Sequence, residues 1–144
     1  MSKVLNISEL EKLLMDLKAK NIVFTNGCFD ILHPGHIHIL EVSKSYGDIL
    51  IVGVNSDDSI KKLKGPTRPK ISQKDRLRIL SSIKYVDYVL LFEEETPLKL
   101  IEKIKPNFLV KGGDYSLEDI VGAEFVENNG CLLYTSDAAD DLWC

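Results

Sequence analysis

The chain has 144 residues, of which 44% are hydrophobic and 28% are charged, a composition typical of one globular domain. Its formal net charge of −4 provides no overall positive field, so no nucleic-acid partner is expected. No apolar run approaches the roughly 20 residues that cross a bilayer, and the polar N-terminus lacks a signal-peptide pattern, so we expect a cytoplasmic protein without a membrane segment. The three cysteines form no C-x-x-C pair, which predicts reduced thiols rather than a disulfide framework or a zinc site.

Short apolar runs alternate with amphipathic segments along the chain. Leucines at helical spacing predict a packing helix over residues 7–20, with Ser8 as its N-cap. The unalternating apolar run 22–25 is typical of a strand buried on both faces, and a helix follows it from Pro34 to near Gly47. Further strands are predicted at 49–54, 88–92, 108–110 and 131–134. Further helices are predicted shortly after residue 57 and over about 72–84, 96–105 and 116–129.

This alternation predicts an α/β fold, an open and mostly parallel sheet of about five strands with helices on both faces. We expect a single domain over residues 1–134, with the N-terminal helix at 7–20 and the core at 21–134. Ligands of such sheets bind beyond the carboxyl ends of the strands. The loops of interest are therefore 25–36, 55–57, 64–70, 93–96 and 112–115.

One stretch, residues 25–36, places a strand end, a glycine turn and two histidines directly before a helix. Pro34-Gly35-His36 opens that helix, where free backbone N–H groups and the helix dipole favour an anion. Gly35 lets a phosphate approach the backbone closely, and the His33 and His36 imidazoles can both donate to it. The pattern therefore predicts a phosphate site.

Two other interpretations of the histidines stay open. They could be surface or helix-capping residues, or they could bind a metal ion, although zinc would need a third ligand and only Asp30 or Cys28 is near. The helix start attracts anions, so we rank the metal below the phosphate. His38 points away from the pair and is predicted to be structural.

The pattern Gly27-x-Phe29-Asp30-x-x-His33-x-Gly35-His36 resembles the signature of the HxGH nucleotidyltransferases, the cytidylyltransferase-like family. Separated motifs narrow the resemblance to the adenylyltransferases of ADP-heptose synthesis, which serve lipopolysaccharide cores and surface glycans. These motifs are TNGCFDILH at 25–33, VNSD at 54–57, LKG at 63–65 with Arg68-Pro69, FEEETP at 92–97 and LVKGGDY at 109–115. The resemblance covers about residues 20–130.

The resemblance implies a Rossmann-like fold and a transfer of AMP from ATP to a sugar 1-phosphate, heptose 1-phosphate. Pyrophosphate leaves, and Mg²⁺ is held mainly through the phosphates. His33 and His36 would be the catalytic residues that hold the α-phosphate as negative charge builds. The implied nucleotide-binding residues are Asn26, Gly27, Cys28, Phe29, Gly35, Gly112, Gly113 and Asp114. For the last three, a tight turn in which Asp114 caps the next helix is an equal alternative.

A basic segment, residues 61–78, is the second candidate wall of the site, since it carries eight lysines and arginines against the single acid Asp75. We predict that Asp30, Lys64 and Arg68 bind phosphate or substrate, with lysine as a point charge and arginine as a fork. For Lys74 and Arg78 a solvated helix face is preferred.

The chain departs from the family near its C-terminus. Family members carry a Ser/Thr-rich helix start there, whereas residues 135–144 resemble a non-native tail. This departure favours, as one alternative, a non-catalytic nucleotide-binding or subunit-association module. A cytidylyltransferase acting on glycerol 3-phosphate or a similar polyol phosphate is the enzyme alternative. We expect a stand-alone transferase rather than half of a fused enzyme, and a homodimer is compatible with the sequence.

Overall fold

A computed structural model of the chain describes residues 3–112 and 132–136. The predicted helix over about 116–129 lies outside the described residues, as do Gly113, Asp114 and residues 137–144 of the predicted tail. None of the described helices is long and apolar enough to cross a membrane.

Six parallel strands form one sheet, in the order β1-β4-β3-β2-β5-β6. The strands are β1 (Val4–Leu5), β2 (Ile22–Gly27), β3 (Ile49–Asn55), β4 (Tyr88–Phe92), β5 (Phe108–Gly112) and β6 (Leu132–Ser136). The helices are α1 (Ile7–Asp16), α2 (Pro34–Ser45), α3 (Asp57–Lys64), α4 (Gln73–Ser81) and α5 (Leu98–Ile104). The predicted Rossmann-like α/β fold is thereby confirmed.

The structure corrects several predicted boundaries. The sheet has six strands rather than about five, because the edge strand β1 is only two residues long and too short to show a periodic pattern. Helix α1 is capped by Asn6, not Ser8, and it ends at Asp16 rather than at residue 20. The Asn6 side chain accepts from the Glu9 N–H at 2.8 Å, and the Glu9 carboxylate accepts from the Asn6 N–H at 3.0 Å. Strand β6 continues through Ser136, two residues into the predicted tail.

Two buried clusters sandwich the sheet. On the α1/α5 face, leucines of α1 and apolar residues of α5 pack against strand residues such as Phe24, Ile51 and Leu109. On the α2/α4 face, Ile39, Leu40 and Leu80 pack against the alternate strand residues, Val23 and Val110 among them. Successive side chains of one strand therefore enter opposite clusters, as expected for strands covered on both faces.

The two neighbouring strands β2 and β5 are paired over only part of their length. The chain runs outward from β2 through β3 and β4 and then returns to the other side of β2. Strands β2 and β5 pair only at Val23–Phe108 and Phe24–Leu109, although each continues for three more residues. Their carboxyl ends thus leave a crevice at the point where strand order reverses, which is where ligands bind in this class of fold.

Gly53 in β3 tests the packing of the α1/α5 face. A Cβ at this position would lie 2.8 Å from the Phe24 ring and 3.3 Å from a Leu100 methyl group. We expect Gly53→Ala to lower the free energy of unfolding by about 1–3 kcal/mol in a urea titration. Adding Phe24→Leu should cost less in this background than in the wild type, because the smaller side chain relieves the overlap. Additive effects of the two changes would contradict the close contact.

Candidate active site

His33 and His36 form a reciprocal cap at the start of α2. His33 is the N-cap residue, and its Nδ1 accepts from the Gly35 N–H at 3.1 Å. His36 sits one turn later, and its Nδ1 accepts from the His33 N–H at 3.2 Å. This is the geometry of a capping box with imidazoles in place of the usual hydroxyl and carboxylate. The helix-capping interpretation of the histidines is therefore confirmed, and it does not compete with the phosphate interpretation.

The cap determines which ring atom can donate. A ring nitrogen that accepts a hydrogen bond carries no proton, so in the neutral imidazole the proton is on Nε2. The two rings lie with centroids 4.6 Å apart, and His36 is buried while His33 is exposed. The site can thus offer Nε2–H groups to an anion without any further proton transfer.

The expectation of free backbone N–H groups at the start of α2 is wrong for the first turn. Pro34 has no N–H, the Gly35 N–H is bound by His33, and the His36 N–H donates to the His33 carbonyl at 2.9 Å. The positive end of the helix dipole is consequently presented through the imidazoles rather than through bare amides.

The chain turns from β2 into this cap at Phe29. Its φ of 50° is in the left-handed region, which costs a non-glycine residue about 1–3 kcal/mol. The Phe29 ring is buried and lies 5.7 Å from the His36 ring, so packing holds the strained turn. Cys28 is also buried beside this turn.

Asp30 anchors the loop that follows α3. Its carboxylate accepts from the backbone N–H groups of Lys70 and Ile71 at 2.9 Å and from Arg68 Nε at 2.7 Å. Burial alone would raise the pKa of this carboxyl, but the hydrogen bonds from Lys70, Ile71 and Arg68 outweigh it, so the pKa lies below its usual value. The observed partners of Asp30 are protein donors, and its predicted contact with substrate stays a prediction.

The sequence suggested that Lys64 and Arg68 share one loop. In the structure they lie on different elements. Lys64 is exposed and is the last residue of α3. Arg68 is on the loop, partly buried, with its Nε bound to Asp30. A guanidinium held through Nε keeps its two terminal nitrogens on one side as a fork suited to a phosphate. Asp30 therefore orients Arg68, and the phosphate contacts of Arg68 and Lys64 stay predictions.

Sequence reasoning missed the buried arginine of this region, Arg76 on α4. Its side chain is 1% exposed and donates to the carbonyls of Cys28 and Asn55 at 2.7 Å, to that of Ile71 at 3.0 Å and to the Asp57 carboxylate at 2.8 Å. Arg76 thereby ties the carboxyl ends of β2 and β3 to the anchored loop. The one signal in the sequence was its helical spacing with Leu80, which places both on the buried face.

The remaining predicted residues divide between the crevice and the surface. Asn26 and Gly27 end β2, and Gly112 ends β5 on the other side of the crevice. His38 is exposed on α2, beside a groove of about 500 Å³ that also contacts His33. Within residues 3–112 and 132–136, no three His, Cys, Asp or Glu side chains come together in a way that could hold a metal ion.

These features define a doubly wound α/β domain, with a crevice where the strand order reverses and a histidine-capped helix that follows β2. The family model described as Cytidylyltransferase-like matches residues 24–130, well over half of the chain. The chain belongs to the cytidylyltransferase-like family and is a nucleotidyltransferase.

Comparisons with individual proteins agree with this assignment. The chain is 55% identical over 127 residues to the bifunctional protein HldE of Helicobacter pylori strain P12 and 56% identical over 128 residues to that of Aliarcobacter butzleri. Each match covers 88% of this chain but only 27% of the relative, so the chain spans about a quarter of the length of these curated relatives.

Two solved structures share the fold. A lipopolysaccharide core biosynthesis protein from Thermoplasma volcanium matches with a TM-score of 0.66 and 32% identity, over 81% of this chain and 96% of that one. Pantoate-beta-alanine ligase from Francisella tularensis matches with a TM-score of 0.62 and 20% identity, over 91% of this chain and 65% of that one, a likeness of fold alone.

Replacing Arg76 should destabilise the protein strongly. Arg76→Met removes the buried donors that bind the Cys28 and Asn55 carbonyls and the Asp57 carboxylate, so we expect a loss of about 2–4 kcal/mol in the free energy of unfolding. Arg78→Met, at an exposed position of the same helix, is the matched control and should change stability by less than about 0.5 kcal/mol. Equal losses in urea titrations of the two variants would refute the role given to Arg76.

Asp30 should make stability depend on acidity. Because its pKa is lower in the folded than in the unfolded protein, its stabilising effect is present at neutral pH and is lost as the pH falls below about 4. We expect Asp30→Asn to lower the free energy of unfolding at pH 7 by about 1–3 kcal/mol, the range for hydrogen bonds to a charged group. The difference between wild type and variant should shrink towards pH 3 in thermal scans. A difference independent of pH would contradict this account.

Proposed function

We propose that this chain transfers AMP from ATP to heptose 1-phosphate, releasing pyrophosphate and forming ADP-heptose. The observation that carries the proposal is the reciprocal histidine cap at the start of α2, in which both Nδ1 atoms accept from the backbone and the ring proton is therefore on Nε2. The family supplies the reaction class. The motifs shared with the adenylyltransferases of ADP-heptose synthesis, together with the likeness to a lipopolysaccharide core biosynthesis protein, support the acceptor.

The reaction is a single displacement at phosphorus. An oxygen of the acceptor phosphate attacks the α-phosphorus of ATP, the bond from that phosphorus to the bridging oxygen breaks, and the electron pair leaves with pyrophosphate. No group on the enzyme becomes covalently attached. The protein contributes position and charge, the two terms that dominate phosphoryl-type transfers.

Each part of the site then has one task. His33 and His36 donate from Nε2 to the non-bridging oxygens of the α-phosphate as their negative charge grows. Arg68, oriented by Asp30, and Lys64 bind the outer phosphates or the acceptor phosphate. The backbone from Asn26 to Phe29, together with Gly35 and Gly112, would line the nucleotide. The roles of Gly113 and Asp114, which lie outside the described residues, stay predictions.

Magnesium is proposed as the metal of the reaction, held mainly by phosphate oxygens. Mg²⁺ keeps several waters and takes few protein ligands when phosphates are present. Asp57, which begins α3 directly after β3, is already paired with Arg76 at 2.8 Å, so the phosphates would supply most of the ligands. When bound, the ion would neutralise charge on the phosphates.

The assembly and location of the protein follow as further parts of the proposal. A homodimer and a cytoplasmic location suit an enzyme that uses ATP and a sugar phosphate. A cytidylyltransferase acting on glycerol 3-phosphate is the other reaction to exclude. Pyrophosphate release should be measured with ATP and CTP, each against heptose 1-phosphate and glycerol 3-phosphate. Release only with CTP and glycerol 3-phosphate would overturn the proposed substrates.

Histidine variants that preserve the cap separate catalysis from folding. His33→Ser keeps a good N-cap residue, and His36→Glu keeps the acceptor that is usual at the third helical position, but both lose the imidazole Nε2–H donor. We expect each to lower kcat/KM by about 10²–10³-fold, as for the loss of one oxyanion donor, with a small change in Tm. His38→Asn, on the exposed surface of the same helix, should retain activity. Full activity in either capped variant would refute the proposed role.

A further inference from the structure

A groove along α2 has no role in the site described above. It has a volume of about 500 Å³, and its lining includes His33 at the start of α2 and Glu41 further along the same helix. At the helical rise of 1.5 Å per residue, these two positions lie about 12 Å apart along the helix axis. One end of the groove is thus formed by a histidine proposed to bind the transferred phosphate, and the other end is remote from it.

The lining between these ends combines apolar and polar groups. Leu32, Pro34 and Ile37 supply apolar surface, and Glu41 supplies a carboxylate. Small-molecule sites are mostly apolar, with a few placed polar groups that fix the orientation of the ligand. A sugar matches this lining, because its ring carbons present C–H groups and its hydroxyls donate hydrogen bonds.

The Glu41 carboxylate is held in place by Tyr85. The Tyr85 hydroxyl donates to Glu41 Oε2 at 2.7 Å. This hydrogen bond raises the pKa of Tyr85 above its ordinary value, so the hydroxyl stays protonated as a donor at neutral pH. Among residues 3–112 and 132–136, no group donates to Glu41 Oε1. A carboxylate anchored through one oxygen can accept from a ligand hydroxyl with the other.

The charge of Glu41 selects between the two substrates. A carboxylate repels phosphate oxygens, so the end of the groove at Glu41 does not suit the triphosphate of a nucleotide. It does suit the neutral, hydroxyl-bearing end of a sugar phosphate, since a hydrogen bond to an ionised acceptor is stronger than one between neutral groups. The groove therefore matches the acceptor, with the acceptor phosphate at His33 and its last hydroxyls near Glu41.

We propose that this groove is the subsite for the sugar of the acceptor. Glu41 accepts a hydrogen bond from a hydroxyl at the end of the sugar remote from the phosphate, Tyr85 is a positioning residue for Glu41, and the apolar lining packs against the C–H groups. These contacts do not involve His38, which borders the groove at an exposed position. The inference rests on the proposed function, because it takes a sugar 1-phosphate as the acceptor.

The test measures equilibrium binding to the full chain by calorimetry. The ligands are heptose 1-phosphate and a hexose 1-phosphate of the same ring configuration, which lacks the terminal carbon and its hydroxyl. Each is added in the presence of Mg²⁺ and an ATP analogue with a non-cleavable bridge between its α- and β-phosphates. We expect Glu41→Ala to weaken heptose 1-phosphate by about tenfold or more, the range for a hydrogen bond to a charged group, and hexose 1-phosphate by less than about twofold. The affinity for the ATP analogue should be unchanged.

Two further variants separate the contact from its surroundings. Tyr85→Phe keeps the ring but removes the hydroxyl that holds Glu41, so it should weaken heptose 1-phosphate by a smaller factor, about threefold. Glu102→Ala, at an exposed position of α5, is the matched control and should bind both sugar phosphates like the wild type. Alanine is a good helix former at both glutamate positions, so thermal melts should show each variant folded.

Two results would overturn the inference. If Glu41→Ala is folded and binds heptose 1-phosphate as tightly as the wild type does, the groove does not hold the sugar. If Glu41→Ala weakens heptose 1-phosphate and hexose 1-phosphate equally, Glu41 does not contact the terminal hydroxyl. A wild type that binds the ATP analogue but neither sugar phosphate would instead refute the proposed acceptor, so the two ideas fail separately.

Discussion

The reciprocal capping of α2 by His33 and His36 is the interaction on which the site depends. One pair of hydrogen bonds begins the helix, occupies both Nδ1 atoms and uses backbone donors that would otherwise bind an anion. The same two histidines consequently begin the helix and carry the donors proposed for an anion. When one ring nitrogen accepts a hydrogen bond, the imidazole is polarised and the N–H on the opposite nitrogen becomes a stronger donor. The positive end of the helix dipole therefore acts on an anion through the imidazoles.

Two buried charged side chains hold the surroundings of this cap in position. Asp30 binds the loop that carries Arg68, and Arg76 joins that same loop to the carboxyl ends of β2 and β3. Charged groups inside a protein lose hydration, so they stabilise the fold only when nearly every donor and acceptor is matched. Both side chains have several hydrogen-bond partners. These bonds fix the loop that carries Arg68 relative to the histidines.

Sequence patterns predicted the fold well where the hydrophobic pattern and the turn residues were distinctive, as in β3, β4 and the start of α2 at Pro34. They failed where tertiary contacts determine the local structure. The two-residue β1 forms only because β4 offers it an edge, and a charged Arg76 is buried only because carbonyls of distant segments surround it. Similarly, the motif identified His33 and His36 but could not show that their Nδ1 atoms are occupied by the backbone.

The proposed function requires a chain of net charge −4 to bind two polyanions. At physiological ionic strength charges beyond about 8 Å are largely screened, so local cations rather than net charge control phosphate binding. Arg68 is paired with a carboxylate, and Lys111 is partly desolvated with a pKa of about 8. Perturbed pKa values of this kind cluster at functional sites, where charged groups are held in partly desolvated surroundings.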